Sequence, residues 1–395
     1  MEESLGLAKG DVDPVSVPTE LVAAIAQAME GAEGSVSEEP SLERQVLDVG
    51  RDIIESIRDT RGFVLWKKRW PQGARYAACL THDIDNISRP LSHVLRRRDR
   101  FSTSDLILSL LGFRSLYDNA SLVAKLEAAR SLHSSFYLFS ANYDLSSMAK
   151  KLRSLLREGW DVGLHGDFGT HDSLEQMLEA FAKFQGATGI RPQGVREHYL
   201  RFDFERTWTL MEKAGFQYDS TVGNTDKLGF RVGLCTPFHP PDRDWKPMKI
   251  LELPLVLMDA TLWGYLRRTE AEGVRDFEML KQRVGEVNGL FTLLWHPEAV
   301  RMKGGRTYPA MLDLLLKDGC YIDSGAAVAD WWLRRAVPLV LEGDRFRMDQ
   351  APAGLVLRFK ANGGQTPTVE GGTFGTEGNE AVIKAGGGPL TVAVK

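Results

Sequence analysis

Asp83 and Asp85 stand one residue apart where the apolar run Tyr76-Ala77-Ala78-Cys79-Leu80 ends in Thr81-His82-Asp83-Ile84-Asp85-Asn86. Two carboxylates this close repel each other unless a cation or a proton is shared between them, so a bound metal ion is the simplest partner to expect. Further along, His165 follows Val162-Gly163-Leu164, Arg196 follows Gly194-Val195, and His296 follows Leu290-Phe291-Thr292-Leu293-Leu294-Trp295. A polar residue directly after a short buried run is placed to face a pocket, because ligands in α/β folds bind beyond the carboxyl ends of the strands.

The elements that must position these residues alternate in type. Strand patterns near 134–139, 161–164, 194–195, 217–220, 250–254, 290–295 and 320–323 are separated by helical periodicity near 120–132, 146–157, 173–184, 204–214, 276–287 and 310–317. This β-α order predicts parallel strands with helical crossovers, and seven or eight units in a row predict a (β/α)7-8 barrel over residues 41–336. A long insertion at 87–119 carries Arg96-Arg97-Arg98-Asp99-Arg100 and the apolar run from Leu106 to Phe113. A basic cluster beside an apolar patch suits contact with a membrane surface or a lipid-linked substrate; the blander expectation is a solvated turn and a helix packed on the barrel. Phe63-Val64-Leu65-Trp66 is expected to lead into the first barrel strand.

From 337 to 395 the pattern changes to alternating apolar residues broken by glycines, with Asn362-Gly363-Gly364 as a hairpin signal. The expectation is a small C-terminal antiparallel β domain. Residues 1–40 are acidic and rich in Gly, Ser and Glu, with one amphipathic piece near 21–29. They read as an acidic flexible tail.

Composition sets the outer bounds. The 395 residues are 43% hydrophobic and 26% charged, as in ordinary globular proteins, and the net charge of −4 offers no general attraction to nucleic acid. Cys79, Cys235 and Cys320 are odd in number and far apart, which points neither to a disulfide framework nor to a thiolate zinc site. An acidic start without an apolar core and the lack of any apolar run of about 20 residues make a cytoplasmic location without a transmembrane segment the default expectation.

Taken in order, Thr81-His82-Asp83-Ile84-Asp85, Gly163-Leu164-His165-Gly166, Val195-Arg196-Glu197-His198-Tyr199 and Leu294-Trp295-His296-Pro297 resemble the motifs of the NodB-like polysaccharide deacetylases, over roughly residues 75–335. The resemblance implies removal of an acetyl group from an N-acetylated sugar in a glycan or a glycan precursor, which includes lipid-linked ones. It implies a divalent metal, with zinc expected. Asp83 would be the general base, Arg196 its orienting cation and His296 the general acid. Asp85 and His165 would bind the metal. The second histidine of that family's metal motif falls on Gly169 here, leaving His171 as the first candidate for the third ligand and Asp167 as another. His198, Tyr199, Asp259 and Trp263 are the expected substrate contacts, with His198 standing where the family has proline. O-deacetylation would use the same residues.

Two other readings compete. A glycan-binding barrel that has lost catalysis would explain Gly169. A haloacid dehalogenase-type phosphatase would use Asp83 as nucleophile and Asp85 as acid, but it leaves His165 and His296 without a role. Homo-oligomerisation is open, since a terminal β domain offers edges for pairing.

Overall fold

The computed structural model describes residues 7–9, 19–30, 37–96 and 98–395. Its central sheet is parallel and built from β2 to β10, which follow the strand β1 (Phe63–Lys67). They are β2 (Ala77–Ile84), β3 (Ser135–Phe139), β4 (Asp161–Gly166), β5 (Gly194–Glu197), β6 (Tyr218–Asp219), β7 (Leu251–Glu252), β8 (Leu255–Met258), β9 (Leu290–Leu294) and β10 (Tyr321–Asp323). Hydrogen bonding runs β7-β6-β5-β4-β3-β2-β9-β8, and β10 pairs with the start of β2. Only Leu253 and Pro254 separate β7 from β8, so the curl returns on itself through one interrupted strand. Proline cannot donate to a sheet ladder, which suits it to that interruption. The barrel with a C-terminal β unit expected from the sequence is what the structure shows.

Side-chain alternation then decides which residues can meet. Ala78, Leu80, Phe136, Leu138, Val162, Leu164, Val195, Phe291 and Leu293 belong to the apolar layer shared with the surrounding helices. Their strand neighbours have the opposite parity and point into the barrel: Ala77 and Cys79 pack there with Tyr137, Tyr218, Leu251 and Leu290. Asp83, His165 and Arg196 share that inward parity, one level nearer the strand ends. His82 has the outward parity and is buried with its Nε2 on Glu127 Oε1 at 2.8 Å.

The inward apolar cluster continues without a break into the C-terminal strands. These are β11 (Val340–Glu342), β12 (Arg345–Ala351), β13 (Val356–Ala361), β14 (Pro367–Glu370), β15 (Gly372–Glu377), β16 (Glu380–Ala385) and β17 (Gly388–Val394). They form two antiparallel sheets, β1-β13-β16-β15 and β11-β12-β17-β14. The Phe63–Lys67 strand leads in chain order into β2, as expected, but stands in a different sheet, pairing with β13, Leu65 opposite Phe359. One expectation is corrected here. The Asn362-Gly363-Gly364 turn does not close a hairpin, because β13 pairs with β16 while β14 crosses to β17. Its glycines sit at φ 71° and 78°, and Asn362 donates its backbone N–H to the Gly62 carbonyl at 2.7 Å.

Part of the expected flexible tail is ordered. Leu7 and Ala8 are buried, Lys9 donates to the Leu339 carbonyl at 2.7 Å, and Thr19–Glu30 is helical. The Ser37 carbonyl accepts from the Phe230 N–H at 2.8 Å, and residues 1–6, 10–18 and 31–36 lie outside the described residues. No helix among the described residues is long and apolar enough to cross a membrane.

Because β1 is core to the C-terminal sheets, Leu65→Ala is expected to destabilise the protein by about 2–5 kcal/mol. Phe374→Ala, at a side chain 47% exposed, should change stability by less than about 0.5 kcal/mol. Urea unfolding midpoints of the two variants beside wild type measure the difference; equal midpoints would remove β1 from the core.

Candidate active site

Five strand ends converge on one pocket: Asp83 and Asp85 from β2, His165 from β4, Arg196 and His198 from β5, Asp259 from β8 and His296 from β9. At the centre, Asp85, His165 and His198 each offer a ligand atom within 4.8 Å of the others. His165 Nε2 lies 3.3 Å from Asp85 Oδ1, and His198 Nε2 lies 3.8 Å from Asp85 Oδ2. His165 donates its Nδ1–H to the Arg196 carbonyl at 2.8 Å, which leaves the Nε2 lone pair directed at the cluster. Phe139 packs against both rings, with centroids 5.7 Å and 4.1 Å away.

These residues fit a cation. Asp85 Oδ1 is buried without a hydrogen-bond partner, a costly state for a carboxylate oxygen unless something positive meets it. Burial opposes ionisation of Asp85, yet the neighbouring imidazoles of His165 and His198 and the charge of His296 outweigh it and hold the carboxyl well below its usual range. Two imidazoles and one carboxylate make up the donor set of an open zinc site, with the fourth position left for water or substrate.

Arg196 is fully buried and every arm of its guanidinium is occupied. Nε donates to the Ser220 carbonyl at 2.7 Å and one terminal nitrogen to Ser220 Oγ at 2.7 Å. The other terminal nitrogen reaches Thr81 Oγ1 at 2.8 Å and Asp83 Oδ1 at 3.1 Å. The Tyr137 ring lies beneath the cation, 4.8 Å to its centroid. Asp83 thus has one oxygen fixed by Arg196 and the other 3.6 Å from His165 Nε2.

On the other flank, His296 donates Nδ1–H to Asp259 Oδ1 at 2.7 Å, and its backbone N–H meets Asp259 Oδ2 at 3.2 Å. Its Nε2 faces Asp85 Oδ2 at 3.8 Å. Burial disfavours the imidazolium, but the Asp259 charge and hydrogen bond prevail and hold His296 well above the usual histidine range. Asp259 is therefore a partner of His296 before it is a substrate contact.

The cavity at this mouth is about 700 Å³ and includes Asp85, His296, Glu298, Tyr199, Trp263 and Tyr265 among its walls. Trp263 lies in a single π-helical turn, Thr261–Tyr265, and its ring leaves no room for a Cβ at Gly273 or Gly304. Tyr199 is held at φ 60° and is 59% exposed beside the cavity. Glu298 is half-buried in the wall with its Oε2 out of contact with water, and the pKa of its carboxyl is pushed up to about 8 by that desolvation.

His171 is not brought to the cluster. It sits in the turn before the helix Leu174–Thr188, with its Nε2 3.8 Å from Asp172 and its carbonyl accepting from Thr207 Oγ1 at 2.7 Å. Asp167 accepts from Ser140 Oγ at 2.7 Å and is likewise outside the cluster. The third corner is His198, reached from the neighbouring strand. A Cβ at Gly169 would stand 2.1 Å from Gln176 Oε1, so any larger residue there requires Gln176 to swing away. Of the residues that hold Arg196, Thr81 opens the first motif, while Ser220 and Tyr137 carry no motif of their own. Glu298, in His296-Pro297-Glu298, could have been suspected from its place after a buried strand.

Comparison with known proteins finds no matching family model and no matching curated protein. Among solved structures, a putative polysaccharide deacetylase from Mycobacterium smegmatis is 18% identical, with 69% of this chain and 96% of that one covered at a TM-score of 0.49. PuuE allantoinase is 19% identical over 67% of this chain and 92% of that one, TM-score 0.47. A probable polysaccharide deacetylase from Pseudomonas aeruginosa PAO1 is 19% identical over 67% and 93%, TM-score 0.46. The functional reading rests on the site itself.

Arg196→Met leaves Asp83 buried without its cation and is expected to cost about 3–5 kcal/mol, read as a lowered urea midpoint; an unchanged midpoint would contradict the role given to Arg196. Behind the site, Asp219 and Glu252 are register partners, both buried. Burial raises both, and the Asp219 charge raises Glu252 further. For an acid raised on folding, the native state binds the extra proton, so stability falls as pH climbs above the unfolded value of about 4. Asp219→Asn should therefore raise the urea midpoint at pH 8 and change it little at pH 4; the reverse order would refute the shared-charge penalty.

Proposed function

We propose that this protein is a metal-dependent hydrolase that removes the acetyl group of an N-acetylated sugar in a glycan or glycan precursor. The observation that supports it is one arrangement: the Asp85, His165 and His198 cluster stands between Asp83, held by Arg196, and His296, held by Asp259. The same arrangement serves the NodB-like deacetylase chemistry that the sequence motifs resemble, with His198 as third ligand in place of His171.

Asp85, His165 and His198 hold the cation, which when bound supplies Lewis acidity for the acetyl carbonyl and for water. Asp83 accepts the proton of the attacking water through the oxygen that Arg196 leaves unengaged. Arg196 keeps that carboxylate aimed, donating to Oδ1 from a fully buried guanidinium. His296 gives the Nε2 proton to the departing sugar nitrogen, without which the amine is a poor leaving group. Asp259 fixes the Nδ1–H tautomer and stabilises the charged ring. Acid and base are thus on separate strands, each with its own counter-ion. Tyr199, Trp263 and Tyr265 offer aromatic walls for the apolar faces of a sugar ring in the adjoining cavity.

The test is metal content by elemental analysis together with acetate release from N-acetylated chito-oligosaccharides. Wild type supplied with zinc should carry about one ion per chain, and Asp85→Ala, His165→Ala and His198→Ala should lose it while His171→Ala retains it. Asp83→Asn and His296→Gln should keep the metal and lower kcat by at least about 100-fold. A fully metallated wild type that binds the oligosaccharide and releases no acetate would establish a glycan-binding barrel instead.

A further inference from the structure

The helix Thr103–Leu110 in the insertion has two unlike faces. Its start is capped by Ser102, whose Oγ accepts from the Asp105 N–H at 3.1 Å. Leu106 turns inward onto the cluster of Phe101, Leu116 and Tyr117. Ile107, Leu110, Leu111 and Phe113 turn outward, with Phe113 79% exposed. In the preceding helix, Leu91–Arg96, Leu91 and Leu95 are four residues apart on one face and are also exposed. Six of the 16 exposed large hydrophobic side chains among the described residues therefore fall within residues 91–113. Such a concentration is what a surface evolved to stay in water avoids.

The charge around it is predominantly positive, with Asp99 the one exposed carboxylate among the described residues of 89–113. Arg89, Arg96, Arg98 and Arg100 are exposed, and none is paired with a carboxylate among the described residues. The Asp105 carboxylate is already neutralised by Arg114, with Arg301 3.8 Å away. The patch also adjoins the catalytic mouth. Phe101 bridges to Met302, the Lys303 N–H meets the Arg100 carbonyl at 2.8 Å, and Arg100, Met302 and Lys303 line the cavity that holds Asp85 and His296.

We propose that residues 89–96 and 98–113 form a peripheral docking surface for an anionic lipid membrane, which sets the mouth of the cavity at the headgroup layer. Arginines at the phosphates and Ile107, Leu110, Leu111 and Phe113 at the acyl boundary satisfy both halves of the patch at once. A second copy of the chain satisfies only one half, because a two-fold contact brings the same arginines together and they repel. The proposal depends on this surface alone and holds whatever reaction the site performs.

Flotation of the full-length protein with vesicles tests it. Wild type should float with mixed phosphatidylcholine and phosphatidylglycerol vesicles, bind far less to phosphatidylcholine alone, and lose binding as salt rises. The triple variant Leu110→Ser, Leu111→Ser, Phe113→Ser and the variant Arg89→Ala, Arg96→Ala, Arg98→Ala should each reduce the bound fraction at least about five-fold, with unchanged circular dichroism and metal content. Wild type that stays with the soluble fraction, or variants that float as it does, would overturn the proposal. So would a dimer by light scattering that the serine variant converts to monomer, since a second copy would then be the occupant.

Discussion

A single buried cation organises the centre of this molecule. Arg196 has no water to solvate it, so every donor it carries must find an acceptor inside the protein. It finds them on two strands, Ser220 after β6 and Thr81 and Asp83 on β2, with the Tyr137 ring of β3 beneath. Its own carbonyl, on β5, orients His165 of β4. Five consecutive strands of the barrel are thereby registered to one side chain. The positions of Asp83 and His165 follow from satisfying the charge of a third group.

The barrel makes that solution available through parity. Inward positions on β2 run from Ala77 and Cys79, which are packed, through Thr81 to Asp83, which is polar; each strand thus passes from core to site within a few residues. The apolar floor excludes water from below, and the low-dielectric surroundings strengthen the pairings of Asp83 with Arg196 and of His296 with Asp259. The two pairs also separate the tasks. One carboxylate is held in place by a permanent cation, while one imidazole is kept charged by a carboxylate.

Much of this was legible in the residues before any fold was known. Short apolar runs ending at Asp83, His165, Arg196 and His296 announce strands that open onto a pocket, because burial and polarity change over one residue there. His198 was harder to see as a ligand. The search for a third donor stayed within the loop after His165, whereas the donor comes from the next strand: His165 is in register with Arg196, and His198 follows two residues later. Proximity across a sheet is a property of register, which no local spacing encodes. The destination of Phe63–Lys67 was hidden for the same reason, since its five residues, four of them buried, read equally well as a strand of either sheet. At the insertion the composition was legible, but which apolar side chains face outward became visible only once Leu106 had found its inward partners.

The placement of β1 bears on how the chain is made. Phe63 pairs with Ala361, about 300 residues later in synthesis. At roughly 5–20 residues per second, a ribosome needs on the order of 15–60 s to cover that interval. Throughout it Leu65 lacks its sheet neighbour, Val64 can pack on Ile53 and Ile57 of the preceding helix, and β2 to β9 emerge one after another and can begin to close. A segment translated much later therefore completes the burial of this strand, and the nascent chain must keep it from wrong pairings until β13 arrives.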